Sequence, residues 1–96
     1  MSVEITVRFT GQLRALAGCS SLSLAVEEGT TLGEALFALR DVVSPSFREQ
    51  VIEPLTRGQP SRALLLLNRA FCAGPELDRP LAGGDIVAFV TPMAGG

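Results

Sequence analysis

The residue with the clearest chemistry is the last one. The chain ends Thr91, Pro92, Met93, Ala94, Gly95, Gly96, and Gly96 carries the free α-carboxylate. Glycine lacks a Cβ, so a Gly95-Gly96 tail fits a slot too narrow for any side chain. Nothing hinders attack at the terminal carbonyl carbon. Pro92 fixes one φ and donates no amide hydrogen, which ends sheet pairing and starts a stiff exit. A tail of this kind suits delivery of the C-terminus into the active site of another protein. The plain alternative is a frayed end, since glycine is roughly 7% of residues and terminal pairs also arise by chance.

Other chemistry is scarce. The sequence has no histidine, tyrosine or tryptophan, and all eight basic residues are arginine. That removes Ser-His and Cys-His nucleophile pairs, a histidine general base and histidine-ligated metals. Without lysine, no side chain here forms a Schiff base or accepts an isopeptide bond. Cys19 and Cys72 are far apart and in no CxxC pattern, so they make neither a disulfide framework nor a zinc site. Both read as small, partly buried apolar residues. No metal site is expected, and no catalytic site apart from the terminus.

The elements that must position this tail are legible in pattern. Val3, Ile5, Val7 and Phe9 alternate with polar residues, and Leu22, Leu24 and Val26 do the same, which predicts two half-buried strands. A connection, GQLRALAG, joins them, with Leu13 and Leu16 on one possible helical turn and Arg14 as a solvated charge. Thr31 and Glu34 form a capping box ahead of Leu32, Ala35, Leu36, Leu39 and Val43, predicting a helix over 32–43 that stops before Pro45. A short second helix is predicted over 46–53 through Phe47 and Val51, with Pro54 ending it. The continuous apolar run 63–67 reads as a strand buried on both faces. Asn68-Arg69 reads as a turn and 70–73 as a short edge strand. Leu77 and Leu81 are expected to plug the core, and Gly83-Gly84-Asp85 to turn into the last strand, from Ile86.

The order β-β-α-(α)-β-β-β, with one main helix over one apolar sheet face, is a two-layer α+β domain. The first and last strands should lie side by side in mid-sheet. This is the β-grasp, or ubiquitin-like, arrangement. Residues 1–91 make the domain and 92–96 the extended tail. Composition agrees with a single core: 96 residues, 47% hydrophobic, 19% charged, mean hydropathy +0.36. A net charge of −2 gives no basic footprint for nucleic acid. No apolar run is long enough to span a bilayer and the first residues do not read as a signal peptide. A cytoplasmic location is the expectation.

Three stretches resemble a known family. FTGQLRALAG is similar to the F-x-x-L-R-x-x-x-G stretch of the molybdopterin synthase small subunit and its relatives. VEEGTTLGEALFAL is similar to the segment leading into that family's main helix. LDRPLAGGDIVAFVTPMAGG resembles its L-x-x-G-D-x-V-A turn and strand followed by a P-P-V-x-G-G tail. Together they hold 44 of the 96 residues and reach towards both ends of the chain. The sequence departs from the pattern at Thr91, where the first tail proline usually stands, at Met93 in place of a β-branched residue, and in a longer middle, 45–61.

The resemblance, to the MoaD/ThiS-type ubiquitin-like sulfur carriers, implies a function. An E1-like enzyme adenylates the terminal glycine with ATP, and the glycine then becomes a thiocarboxylate. The tail enters a partner, a larger synthase subunit or another sulfur-acceptor enzyme, and gives up its sulfur. A carboxylate ionised at neutral pH is a poor electrophile, which is why activation is needed. Carried over by position, Gly96 is the carrier residue and Gly95 its threading neighbour, while Pro92, Met93 and Ala94 enter the partner. Phe9, Leu13 and Phe89 are candidates for the apolar docking surface, with core packing as the plain alternative. Asp85 carries over as the turn residue before the last strand. No cofactor is expected to bind; ATP belongs to the activating enzyme. Molybdopterin synthesis leads among acceptor pathways, with cysteine- or thiamine-type biosynthesis behind it. A ubiquitin-like protein modifier and a β-grasp interaction domain without carrier activity are the remaining alternatives.

Overall fold

The computed structural model describes residues 1–57, 59, 63–72 and 74–91. Five strands form one mixed sheet: β1 (Ser2–Phe9), β2 (Ser21–Glu27), β3 (Leu64–Leu67), β4 (Ala70–Cys72) and β5 (Ile86–Val90). Their spatial order is β2-β1-β5-β3-β4. β1 and β5 are parallel neighbours in mid-sheet, with Thr6 opposite Ile86 and Phe9 opposite Phe89. The other pairings are antiparallel. This is the β-grasp arrangement that the sequence pattern predicts.

The link between β1 and β2 is more ordered than its sequence suggested. It folds as α1 (Gln12–Ala17), ended by Gly18 in the left-handed conformation at φ 87°, whose N–H returns to the Arg14 carbonyl. The capping box forms as expected: the Thr31 hydroxyl accepts from the Glu34 N–H, and the Glu34 carboxylate accepts from the Thr31 N–H. The helix it starts, α2 (Leu32–Leu39), stops short of residue 43. Beyond it Asp41 and Val42 donate three residues back, to Ala38 and Leu39, so the last turn tightens instead of continuing.

Ser44 then starts the next helical stretch. Its hydroxyl accepts from the Phe47 N–H at 3.2 Å and donates to the Leu16 carbonyl at 2.7 Å, tying this stretch to α1. α3 (Pro45–Phe47), a widened π turn over Arg48–Ile52 and α4 (Glu53–Thr56) follow without interruption. Pro54 therefore does not end the helix. The Glu53 N–H reaches five residues back to Arg48, and the proline, with no N–H to place, falls directly after that wide turn.

The core fills the space between sheet and helices. Ile5, Val7, Phe9, Val87, Phe89, Leu65 and Leu67 point inward from the strands, and Leu32, Leu36, Leu39, Phe47, Val51 and Ile52 meet them. At its centre Phe47 stands edge-on to Phe9 at 5.1 Å and to Phe89 at 5.2 Å, while Phe9 and Phe89 stack at 5.7 Å. Leu81 is buried and Leu77 packs against the core, as predicted. β3 corrects a prediction: its residues alternate between exposed or half-buried and buried, so the sheet is covered on one face only.

Candidate functional site: the tail root and the open sheet face

β5 delivers the chain to Thr91. There the body holds the root of the tail through Thr10, whose N–H and hydroxyl both donate to the Phe89 carbonyl at 3.2 Å. Gly11 follows, at φ 57° and ψ −136°, a region that effectively only glycine occupies. A Cβ at Gly11 would lie 3.1 Å from Thr91 Oγ1. Thr91 Oγ1 is itself buried with no hydrogen-bond partner among the described residues. Gln12, Leu13, Ala15 and Leu16 of α1 line a cleft of about 300 Å³ with Thr91. Thr91, the last described residue, thus sits against Gly11 and the cleft lined by α1. Pro92, Met93, Ala94, Gly95 and Gly96 lie outside the described residues.

The expected docking residues are not on a surface. Phe9, Leu13 and Phe89 are 2%, 4% and 0% exposed, and each has a core-facing position. The reason is parity: in β1 and β5 the aromatics share the face of Ile5, Val7 and Val87, which the helices cover. Their role is to hold the strands that frame the tail root.

The opposite parity makes a surface that the sequence reading missed. Arg8 pairs with Ala88, Ala88 with Leu66, and Leu66 with Phe71, a row crossing four strands on the uncovered face. Leu64 stands opposite Val90 on the same face, next to the tail root. Leu64, Ile86 and Phe71 are 38%, 39% and 57% exposed. Leu66, Ile86 and Ala88 form the floor of an open groove of about 420 Å³, with Arg8, Thr10, Asn68 and Arg69 around it. The signal was present in the sequence. Both 64–67 and 86–90 are apolar at every position, and a strand with only one covered face then leaves apolar side chains outside. Reading the run as buried on both faces concealed this.

Asp85 holds the entry to β5. Its carboxylate accepts from the Ala82 N–H at 2.8 Å and from the Asn68 side-chain amide at 3.0 Å, while the Asn68 amide oxygen accepts from the Ile86 N–H at 2.9 Å. This cluster locks the β3–β4 turn to the start of β5, a turn role as carried over by position. Cys72 is buried and Cys19 partly buried, and the two do not form a disulfide. Among the described residues no three histidine, cysteine, aspartate or glutamate side chains gather as a metal site, and no helix is long and apolar enough to cross a membrane.

Comparison with known proteins places this geometry. The ThiS family model matches residues 7–96. An uncharacterised protein of Archaeoglobus fulgidus is 33% identical over 98 residues, covering the whole of both chains. Three solved structures share the fold. A Pyrococcus furiosus protein described as molybdopterin converting factor subunit 1 superposes with a TM-score of 0.76 at 20% identity, over 95% of this chain and 99% of its own. Small archaeal modifier protein 1 of Haloferax volcanii gives 0.74 at 22% identity, over 95% and 99%. A complex of subunits 1 and 2 of the Helicobacter pylori molybdopterin-converting factor gives 0.62 at 20% identity, over 98% and 100%. With the family match running through the tail and the β-grasp sheet delivering that tail at Thr91, the chain belongs to the ThiS family of ubiquitin-like sulfur carriers.

Proposed function

We propose that this protein carries sulfur as a thiocarboxylate on Gly96, and that it serves as the small subunit of a molybdopterin synthase. The observation that carries the reading is the family match across residues 7–96, on a body that presents an apolar sheet face beside the root of the tail. In the activating step a Gly96 carboxylate oxygen attacks the α-phosphorus of ATP in an E1-like enzyme, and pyrophosphate leaves. Hydrosulfide, or a donor equivalent to it, then attacks the acyl carbon and AMP leaves. The thiocarboxylate passes its sulfur to substrate in the acceptor enzyme, and the carboxylate returns for another round.

The chain's own part is mechanical. Residues 1–91 dock, 92–96 thread, and Gly95-Gly96 reach a confined site because no side chain obstructs them. The ATP site belongs to the activator, and the chain supplies neither a catalytic group nor a cofactor of its own. Leu64, Leu66, Phe71, Ile86 and Val90 take the docking role first expected of Phe9, Leu13 and Phe89, since contiguous exposed apolar surface marks interaction sites. The Helicobacter pylori protein is seen in complex with its subunit 2, which supports a larger synthase subunit as partner. A cytoplasmic location suits both partners. A second reading, a protein modifier, uses the same activated Gly96 and finds its support in the likeness to small archaeal modifier protein 1.

The test is the intact mass of the protein after incubation with its cognate activator, ATP and a sulfur donor, beside a Gly96-deleted control. Exchange of one oxygen for sulfur, absent from the control, is the expected result. Addition of a whole sulfur in both would move the chemistry to Cys19 or Cys72. Transfer to lysines of other proteins, with no sulfur delivered to a synthase, would select the modifier reading.

A further inference from the structure

The two edges of the sheet are built differently. β4 has three residues and offers little to a neighbouring strand. β2 runs for seven, Ser21–Glu27, and its register with β1 is unbroken by any bulge. Exposed edges of monomeric proteins are usually blunted by lysine, proline or a bulge. β2 has none of these: it reads SLSLAVE, with Glu27 at its end as the single charge. Among the described residues no strand pairs with its far side.

The register shows which backbone groups are left over. Phe9 donates to the Ser20 carbonyl and Glu28 to the Met1 carbonyl. The hydrogen-bonded pairs with β1 therefore fall at even positions, among them Leu22, Leu24 and Val26. The odd positions, Ser21, Ser23 and Ala25, aim their N–H and C=O groups away from the sheet. All three carry small, exposed side chains that leave the edge open to approach. Leu22 and Leu24 pack on the core side but stay half-buried, so part of each is in solvent at the edge.

We propose that β2 is a self-association edge, through which two copies of this chain pair antiparallel about a two-fold axis at Ser23. In that register Ser23 meets Ser23 of the second copy, Ser21 meets Ala25, and Leu22 meets Leu24. Each odd-numbered pair exchanges both of its hydrogen bonds. Leu22 and Leu24 cover their counterparts on the helical side, and the small residues meet on the open side. Residues 21–26 are uncharged, so pairing with itself sets no like charges opposite each other, and a charged partner strand has nothing to read. The two five-stranded sheets become one.

The arrangement does not compete with the tail. β1 separates β2 from β5, and reversal of the second copy puts the two tail roots at opposite ends of the joined sheet. An interface one strand wide belongs to the small class, below about 1,200 Å² in total, so the dimer forms with concentration and parts on dilution.

The experiment is sedimentation equilibrium of the full-length chain over a concentration series, beside a Ser23→Lys variant. The wild-type mass is expected to rise from 10.1 kDa towards twice that value. Ser23→Lys places two ammonium groups at the axis and should weaken association at least about tenfold, with an unchanged melting temperature and unchanged adenylation. A Ser23→Cys variant, oxidised where the wild type dimerises, should crosslink through position 23 of both copies. Hydrogen-bonded antiparallel partners lie about 5.5 Å apart at Cα, within disulfide range. A wild type that stays monomeric at the highest concentration would overturn the proposal, as would a dimer that Ser23→Lys leaves intact. Crosslinking through Cys19 alone would overturn the axis at Ser23. A monomeric wild type whose binding to a larger enzyme is lost in Ser23→Lys would give the edge to that enzyme instead, and the dimer would fall.

Discussion

Gly11 and Thr91 are packed so closely that a single methyl group at Gly11 would stand 3.1 Å from Thr91 Oγ1. One residue follows the end of β1 and the other follows the end of β5, so the contact packs the exits of the two parallel strands against each other at the root of the tail.

Gly11→Ala should therefore cost twice. A non-glycine residue at φ 57° and ψ −136° is strained by about 1–3 kcal/mol, measurable by urea denaturation. The new methyl group also displaces Thr91, and misplacement of a reacting terminus by about 1 Å lowers turnover by up to ~100-fold. Gly18→Ala is the control, because Gly18 has φ 87° but nothing within 4 Å of the added Cβ. It should lose about 1–2 kcal/mol of stability and adenylate at the wild-type rate. Equal adenylation by both variants would refute a directing role for Gly11.

Phe47 closes the core over the two strands that frame the tail. It touches Phe9 and Phe89 edge-on and is fully buried. Phe47→Ala should destabilise by about 3–5 kcal/mol, a large share of the roughly 5–15 kcal/mol available to a domain. Phe47→Leu should cost less than half as much. A loss under about 1 kcal/mol for the alanine variant would mean that the cavity refills.

The fold was readable in the sequence because its signals are local and repeated. Val3 to Phe9 alternate, Thr31 and Glu34 make a capping box, and the apolar stripe from Leu32 to Leu39 has helical spacing. Which face of β3 and β5 stays open was not readable, since 64–67 and 86–90 are apolar on both parities. Only the burial of Phe9, Phe89 and Leu65 under the helices decides it, and that is a tertiary fact. The π turn that absorbs Pro54 escaped for a related reason: its five-residue hydrogen bond has no sequence signature that separates it from a helix end. The resemblance offered Leu13 as a docking residue, whereas α1 turns it inward.

Asp85 is expected to matter for folding and hardly for docking. Asp85→Ala removes the acceptor for the Ala82 N–H and the Asn68 amide, so the β3–β4 turn loses its tether to β5. Each such bond contributes about 0.5–1.5 kcal/mol, and the variant should lose about 1–3 kcal/mol by denaturant titration. Its affinity for the activator, measured well below the melting temperature, should change less than about threefold. A large loss of affinity in a fully folded Asp85→Ala protein would give this carboxylate a direct contact with the partner.

Leu66 and Ile86 should show the reverse behaviour. Both face outward on the uncovered side of the sheet, Ile86 exposed and Leu66 half-buried, so an aspartate at either keeps its carboxylate in reach of water in the free protein, and stability should move by about 1 kcal/mol at Ile86 and by somewhat more at Leu66. In the complex the same carboxylate would be desolvated against an apolar partner surface, without a fixed counter-charge at the groove floor. Loss of a central interface contact costs about 2 kcal/mol or more, which is roughly 30-fold in affinity by the usual conversion. Leu24→Asp is the useful contrast, since Leu24 lies on the β2 face that packs toward the core; it should fail through unfolding and leave no folded protein to bind. Isothermal titration of Leu66→Asp and Ile86→Asp against the activator, beside thermal melts of all three variants, checks the distinction. Retained affinity in both outward variants would mean that the tail alone recruits the partner and that the open face has another occupant.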